Sequence, residues 1–198
     1  NGVLGVSFHD TGTGETVSHN GFARFPHASS FKLSLAAMVL ARDQGGVIDA
    51  DRLVRWSRDD LMSYSPFTTE RLDQGATLRE LARATQVTSD NAAANVLLRE
   101  LGGPEALTAF WRSLGDETSR LDRIEPALNA VPPGDLRDTT TPDAMARTVA
   151  ALLYGPVLET PRRAELRQWL IDTRTGLDRV RAGLPPEWPA GDKTGTSF

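Results

Sequence analysis

Cysteine does not occur in the 198 residues. Its absence removes disulfides, thiolate zinc sites and cysteine nucleophiles, and leaves the redox compartment open. Histidine is nearly as scarce: His9, His19 and His27 lack metal-ligand spacing, so neither a metal nor a cofactor is expected. Lysine occurs only as Lys32 and Lys193 among 22 basic residues, the rest being arginine. No apolar run approaches the length of a membrane span. No basic stretch offers a face to nucleic acid. No signal peptide is seen, and the chain opens on Gly2-Val3-Leu4-Gly5-Val6, which reads as a strand, so its first residue is not expected to be the biological start. What is present, 39% hydrophobic residues and a formal net charge of −4, fits an ordinary soluble globular chain long enough to bury a core.

Residues 2–9 and 15–19 alternate apolar and polar around Asp10-Thr11-Gly12-Thr13-Gly14 and read as a β-hairpin. The run Phe31 to Leu40 is apolar nearly all round, as in a helix enclosed on every side, and Gly45-Gly46 stops it. Leu53 to Leu61 reads as a short amphipathic stretch broken at Tyr64-Ser65-Pro66. Thr77 and Glu80 form a capping-box pattern at the start of a helix. Ser89-Asp90 interrupts it, and Asn91 to Leu101 is helical up to Gly102-Gly103. Further helices run from Pro104 to Leu114, from Thr141-Pro142 to Tyr154, and from Thr160-Pro161 to about Asp172. Between them, residues 123–138 carry Pro126, Pro132, Pro133 and Gly134 and suit an Ω-type loop. Lys193-Thr194-Gly195-Thr196 reads as a closing strand. The pattern is α+β: residues 1–22 and 172–198 are expected to form an antiparallel sheet domain, and 23–171 an inserted helical domain.

Chemistry concentrates in four stretches. Ser29 and Lys32 are three apart, so on a helix they share a face, with the hydroxyl beside an amine. At a helix N-terminus, free N–H groups and the dipole favour developing negative charge, which suits an activated serine. Taken alone, the pair reads as a helix cap followed by a surface lysine. Ser89-Asp90-Asn91 taken alone is a cap between two helices. Lys193-Thr194-Gly195 taken alone is an edge lysine that discourages aggregation, although the glycine also permits close approach of another chain. Glu125-Pro126-Ala127-Leu128-Asn129 taken alone is a solvated loop.

In combination, the order S-x-x-K, S-D-N, E-x-x-L-N, K-T-G resembles the class A serine β-lactamases. The spacings agree along nearly the whole chain. Lesser marks are Tyr64-Ser65-Pro66, like the aromatic turn at the family's substrate entrance, and Asp138-Thr139-Thr140-Thr141-Pro142. Arg123 and Asp138 bracket the loop as the family's ion pair does, and Glu125–Pro126 is expected to be cis. The resemblance implies hydrolysis of a small-molecule β-lactam through a serine acyl-enzyme, by a monomer that is periplasmic or secreted. Ser29 would attack the carbonyl. Lys32 would move its proton, alone or through Glu125 and a water. Ser89 would pass a proton to the leaving nitrogen. Asn91 would bind the substrate's side-chain amide, with Tyr64 at the entrance. Glu125 and Asn129 would hold the deacylating water. Lys193, Thr194 and Arg179 would receive the substrate carboxylate, Gly195 would allow the approach, and the N–H groups of Ser29 and Thr196 would form the oxyanion hole.

The resemblance also implies pieces that this sequence lacks: a helix before the first strand, and two strands and a helix after K-T-G. One of those strands would separate the hairpin from the K-T-G strand, so the two ends are not expected to be neighbours. A remainder outside these residues is expected. Ala28 and Ser197 stand where some carbapenem-hydrolysing members place a disulfide, which is impossible here. Two related alternatives are a penicillin-binding D-alanyl-D-alanine peptidase, against which Glu125 with Asn129 argues, and a penicillin-sensing domain, which absence of turnover would reveal. A Ser-His-Asp hydrolase is disfavoured because G-x-S-x-G is missing and His27 lies too close to Ser29.

Overall fold

The computed structural model describes residues 2–197. Its centre is helix α1 (Phe31–Gln44), whose residues Phe31 to Leu40 are all buried. A helix apolar on every face needs neighbours on every face, and α1 packs against α3 (Leu78–Val87), α4 (Asn91–Leu101), α5 (Gly103–Ser113) and α7 (Thr160–Ile171). Trp111, Phe31, Leu35, Met38, Leu97 and Leu107 are fully enclosed among them. Truncating a leucine in such a core costs about 2–5 kcal/mol.

The helix ends follow local chemistry. The Thr77 hydroxyl accepts from Glu80 N at 3.1 Å while Thr77 N donates to Glu80 Oε2 at 2.8 Å, the capping box expected for α3. Asp90 caps α4 by accepting from Ala93 N at 2.8 Å, and Gly102, at φ 94°, ends it in the left-handed region. Thr141 caps α6 (Pro142–Tyr154) through Ala144 N at 3.2 Å.

Among the described residues the β structure consists of three two-stranded antiparallel ladders. Strands β1 (Val6–His9) and β2 (Thr16–His19) form the expected hairpin, with Phe8 opposite Val17. The hairpin lies on α6 by its Ser7 side; Val6, Phe8 and Val17 are exposed. Strand β3 (Phe25–Pro26) pairs with β6 (Thr139–Thr140), which ties the chain just before Ser29 to the end of the Ω-loop. Strand β4 (Leu53–Val54) pairs with β5 (Ala76–Thr77).

Two readings change. Leu53 to Leu61 is not one amphipathic element: after β4 it closes in a 3-10 turn at Arg58–Asp60, where the Asp60 carboxylate caps Ser57 N at 2.7 Å. A carboxylate that bonds its own backbone competes with helix extension. Lys193–Thr196 pairs with no strand among the described residues. A strand is defined by a hydrogen-bonded neighbour, and β1–β2 forms no ladder with this segment. The short helix α2 (Pro66–Glu70) follows the Tyr64-Ser65-Pro66 turn.

Candidate active site

The twelve residues singled out from the sequence converge on one cleft of about 630 Å³. Ten line it, and Lys32 and Lys193 lie behind its wall, bonded to Ser29 and Ser89. Ser29 sits in a 3-10 turn (Ala28–Ser30) that leads into α1. The preceding Ala28 has φ 41°, a left-handed conformation disfavoured for a residue with a Cβ. Such backbone strain persists only where surroundings over-determine it. Here they do: His27 N donates to Asp138 O at 2.8 Å, and the buried His27 ring stacks on Trp111 at 4.8 Å.

Lys32 is fully buried. Its Nζ lies 2.9 Å from Ser29 Oγ, 3.0 Å from Ser89 O and 3.1 Å from Glu125 Oε1, and it also contacts Asn91 Oδ1. An ammonium has three protons for these four oxygens. A neutral amine would instead donate two and accept the Ser29 hydroxyl proton. Burial lowers the Lys32 pKa, and the neighbouring Glu125 charge opposes that shift.

Ser89 is held from both sides. Its carbonyl faces Lys32, and its hydroxyl accepts from Lys193 Nζ at 2.9 Å. Its φ of 59° lies in the left-handed region, disfavoured for a residue with a Cβ. Burial, and then the positive charge of Lys32, push the Lys193 amine down to about 7. Asn91 Nδ2 donates to Ser63 O at 2.9 Å, so the amide facing Lys32 is locked in orientation. Asp90 also binds Thr68 N at 3.0 Å, which fastens α2 and the exposed Tyr64 turn to the start of α4.

Glu125 enters on the Ω-loop, and its peptide with Pro126 is cis, as expected. The loop closes through Arg123 Nε to Asp138 Oδ2 at 2.6 Å. Asp138 is fully buried and also accepts from Asp122 N and Arg123 N at 2.8 and 2.9 Å. The Ser29 hydroxyl is 3.5 Å from Glu125 Oε1, while Asn129 Nδ2 donates to Glu125 Oε2 at 2.6 Å. On the facing wall, a Cβ on Gly195 would come within 2.8 Å of His27 O and 3.4 Å of Ser29 N. Only glycine lets this segment lie so close to Ser29. Arg179 lines the same wall and is exposed, at the start of a 3-10 turn (Val180–Gly183). Among the described residues no cluster of His, Asp and Glu is arranged to hold a metal ion.

The sequence reasoning missed two cleft supports. Asn95 grips the Glu125 backbone twice, accepting from its N at 3.0 Å and donating to its O at 2.9 Å. Its signal was available: Asn95 lies four residues after Asn91, on the same face of α4. Thr175 accepts from the Thr194 hydroxyl at 2.9 Å, and no local pattern marks it.

A buried lysine and a loop carboxylate both reach the Ser29 hydroxyl, beside a second serine bridged to a second lysine, so a serine proton has acceptors within hydrogen-bond reach. Residues 1–197 match the model of the β-lactamase enzyme family. β-Lactamase FAR-1 of Nocardia farcinica (strain IFM 10152) is 51% identical over 195 residues, covering 97% of this chain and 61% of that protein. The carbapenem-hydrolyzing β-lactamase KPC of Klebsiella oxytoca is 48% identical over 195 residues, covering 98% of this chain and 67% of that protein. Among solved structures, an ancestral class A β-lactamase (GNCA) superposes with a TM-score of 0.97 at 52% identity, covering 99% of this chain and 75% of the other. This chain belongs to the class A β-lactamase family. It spans 61% and 62% of the length of two curated relatives, FAR-1 and AST-1 of Nocardia asteroides.

Proposed function

We propose that this chain carries the machinery of a β-lactam hydrolase, which opens the ring amide on Ser29 and then frees the enzyme with water. In this reading Lys32, as the neutral amine or through Glu125 and a water, takes the Ser29 proton as Oγ bonds to the carbonyl carbon. The N–H groups of Ser29 and Thr196 hold the oxyanion. The C–N bond breaks, and Ser89 gives its proton to the ring nitrogen, replenished through the lysines beside it. Lys193, Thr194 and Arg179 receive the substrate carboxylate, Asn91 takes the side-chain amide, and Tyr64 borders the entrance. Glu125 then removes a proton from a water held with Asn129, the water oxygen bonds to the ester carbonyl, and Ser29 leaves with a proton.

One observation carries the reading: Glu125 faces Ser29 at 3.5 Å while its other oxygen is held by Asn129. A deacylating base needs that position. A D-alanyl-D-alanine peptidase or penicillin sensor, which keeps its adduct, does not. Action on β-lactams, resistance, a monomeric state and a periplasmic or secreted location go together with this proposal.

The test is Glu125→Gln with a penicillin, followed by mass spectrometry. Ser29 should still acylate, the adduct should persist, and kcat should fall by several orders of magnitude. Rapid turnover by the variant would overturn the reading. So would a parent protein that holds its adduct as long as the variant does.

A further inference from the structure

Lys193 must be held against Ser89 although its segment joins no sheet among the described residues. A buried polar group with no catalytic task lies behind it: Gln86, in the last turn of α3, fully enclosed and three residues before Ser89. Its Nε2 donates to Asp192 O at 2.9 Å and to Thr173 Oγ1 at 2.9 Å. The orientation is fixed, because the Asp192 carbonyl only accepts and a turned amide would set two oxygens face to face. Thr173 in turn donates to Trp169 O at 3.1 Å, so its hydroxyl is free only to accept from Gln86. The next residue, Arg174, donates its N–H to Val87 O at 2.9 Å. From the far side, Arg181 donates to Thr173 O at 3.0 Å, to Ile171 O at 2.7 Å and to Ala190 O.

We propose that Gln86 is a positioning residue for Lys193: its amide joins the turn before Ser89 to the residue before Lys193, and so sets the gap between the serine hydroxyl and the ammonium. Arg181 closes the same clasp from outside. Nothing in the amide touches the cleft, so Gln86 acts only through Lys193. The kinetic consequence rests on the β-lactam reading; the clasp itself does not.

Lys32 and Lys193 are the only lysines, so protein labelled with 13C at lysine Cε gives two side-chain signals. Lys193→Arg identifies which is which. The groups that set the Lys193 titration, after burial, are Lys32, Asp192 and Glu125. In the parent protein its midpoint should lie near 7. In Gln86→Met, which keeps volume and removes the amide, the Lys193 midpoint should rise by about one unit or more as the amine meets water. The Lys32 signal should keep its midpoint. KM for a penicillin should rise about tenfold, the scale of one lost buried hydrogen bond, with kcat changed less. Gln86→Leu gives the same readout if the methionine variant does not fold. An unmoved Lys193 midpoint in a folded variant overturns the clasp whatever the kinetics. A raised midpoint in a protein that does not turn over penicillin upholds the clasp and sinks the catalytic reading instead.

Discussion

Gly195 illustrates how a single residue governs the cleft. A methyl group there would meet His27 O at 2.8 Å and Ala28 Cβ at 3.3 Å, closer than ordinary contact. Both neighbours belong to the turn that carries Ser29, and the His27 backbone is already committed to Asp138. The 193–196 segment would therefore move away and take the Thr196 N–H with it. In the proposed function that N–H is an oxyanion donor, and misplacing it by a fraction of an ångström is costly, because its hydrogen bond forms fully only in the transition state. Gly195→Ala should lower kcat by about 10- to 100-fold while leaving the melting temperature nearly unchanged. Steady-state kinetics beside a thermal melt checks this, and unaltered kcat would show that the segment is not held in contact with Ser29.

At the scale of an element, the Ω-loop holds Glu125 and Asn129 by its closure and by one 3-10 turn, Ala127–Asn129. Its backbone bonds few neighbours; the Arg123–Asp138 pair and the Asn95 grip on Glu125 hold it in place. Arg123 also donates to Ala130 O at 3.0 Å, bracing the loop from within. Arg123→Ala leaves the buried Asp138 carboxylate with two backbone donors and no cation. The expected cost is about 2–3 kcal/mol in denaturant unfolding. In the proposed function the loop carries the deacylating pair, so the lifetime of a penicillin adduct should lengthen more than its rate of formation falls. Equal slowing of both steps would mean that the loop serves the whole cleft and not deacylation in particular.

For the molecule as a whole, acid sensitivity should be set first by one buried imidazole. Burial pushes His27 from its ordinary 6.5 down to about 3. An unfolded chain therefore binds a proton near pH 6.5 that the folded chain refuses until about pH 3, so acid favours unfolding throughout that interval. Stability should fall by about 1.4 kcal/mol for each pH unit there. The surface carboxylates act lower. Arg120 beside Asp122 and Arg137 beside Asp135 hold both below the usual range, Asp135 at about 2, so their contribution disappears only below about pH 4. His27→Phe keeps an aromatic ring on Trp111 and cannot titrate. Unfolding free energies measured from pH 7 to pH 4 should slope in the parent and be nearly flat in the variant. Identical slopes would place the sensitivity elsewhere.

Short-range rules determined a good deal of this protein from its sequence alone. The enclosed helix α1, the Thr77–Glu80 capping box, the Gly102 stop and the hairpin all rest on contacts within a few residues, which a linear pattern records. The four motifs named Ser29, Lys32, Ser89, Glu125 and Lys193 because each carries its chemistry in neighbouring letters. Leu53–Leu61 misled because apolar spacing over so few residues does not separate a helical turn from a strand and a 3-10 turn. Only the tertiary structure decided the distances. Gln86 meets the residue before Lys193 across 106 positions, and Thr175 meets Thr194 across 19. No periodicity predicts such pairs, since they depend on how α3, α7 and the closing segment pack. The same holds for the protonation of Lys193 and His27, because burial and neighbouring charge, not residue type, set where an amine or an imidazole titrates.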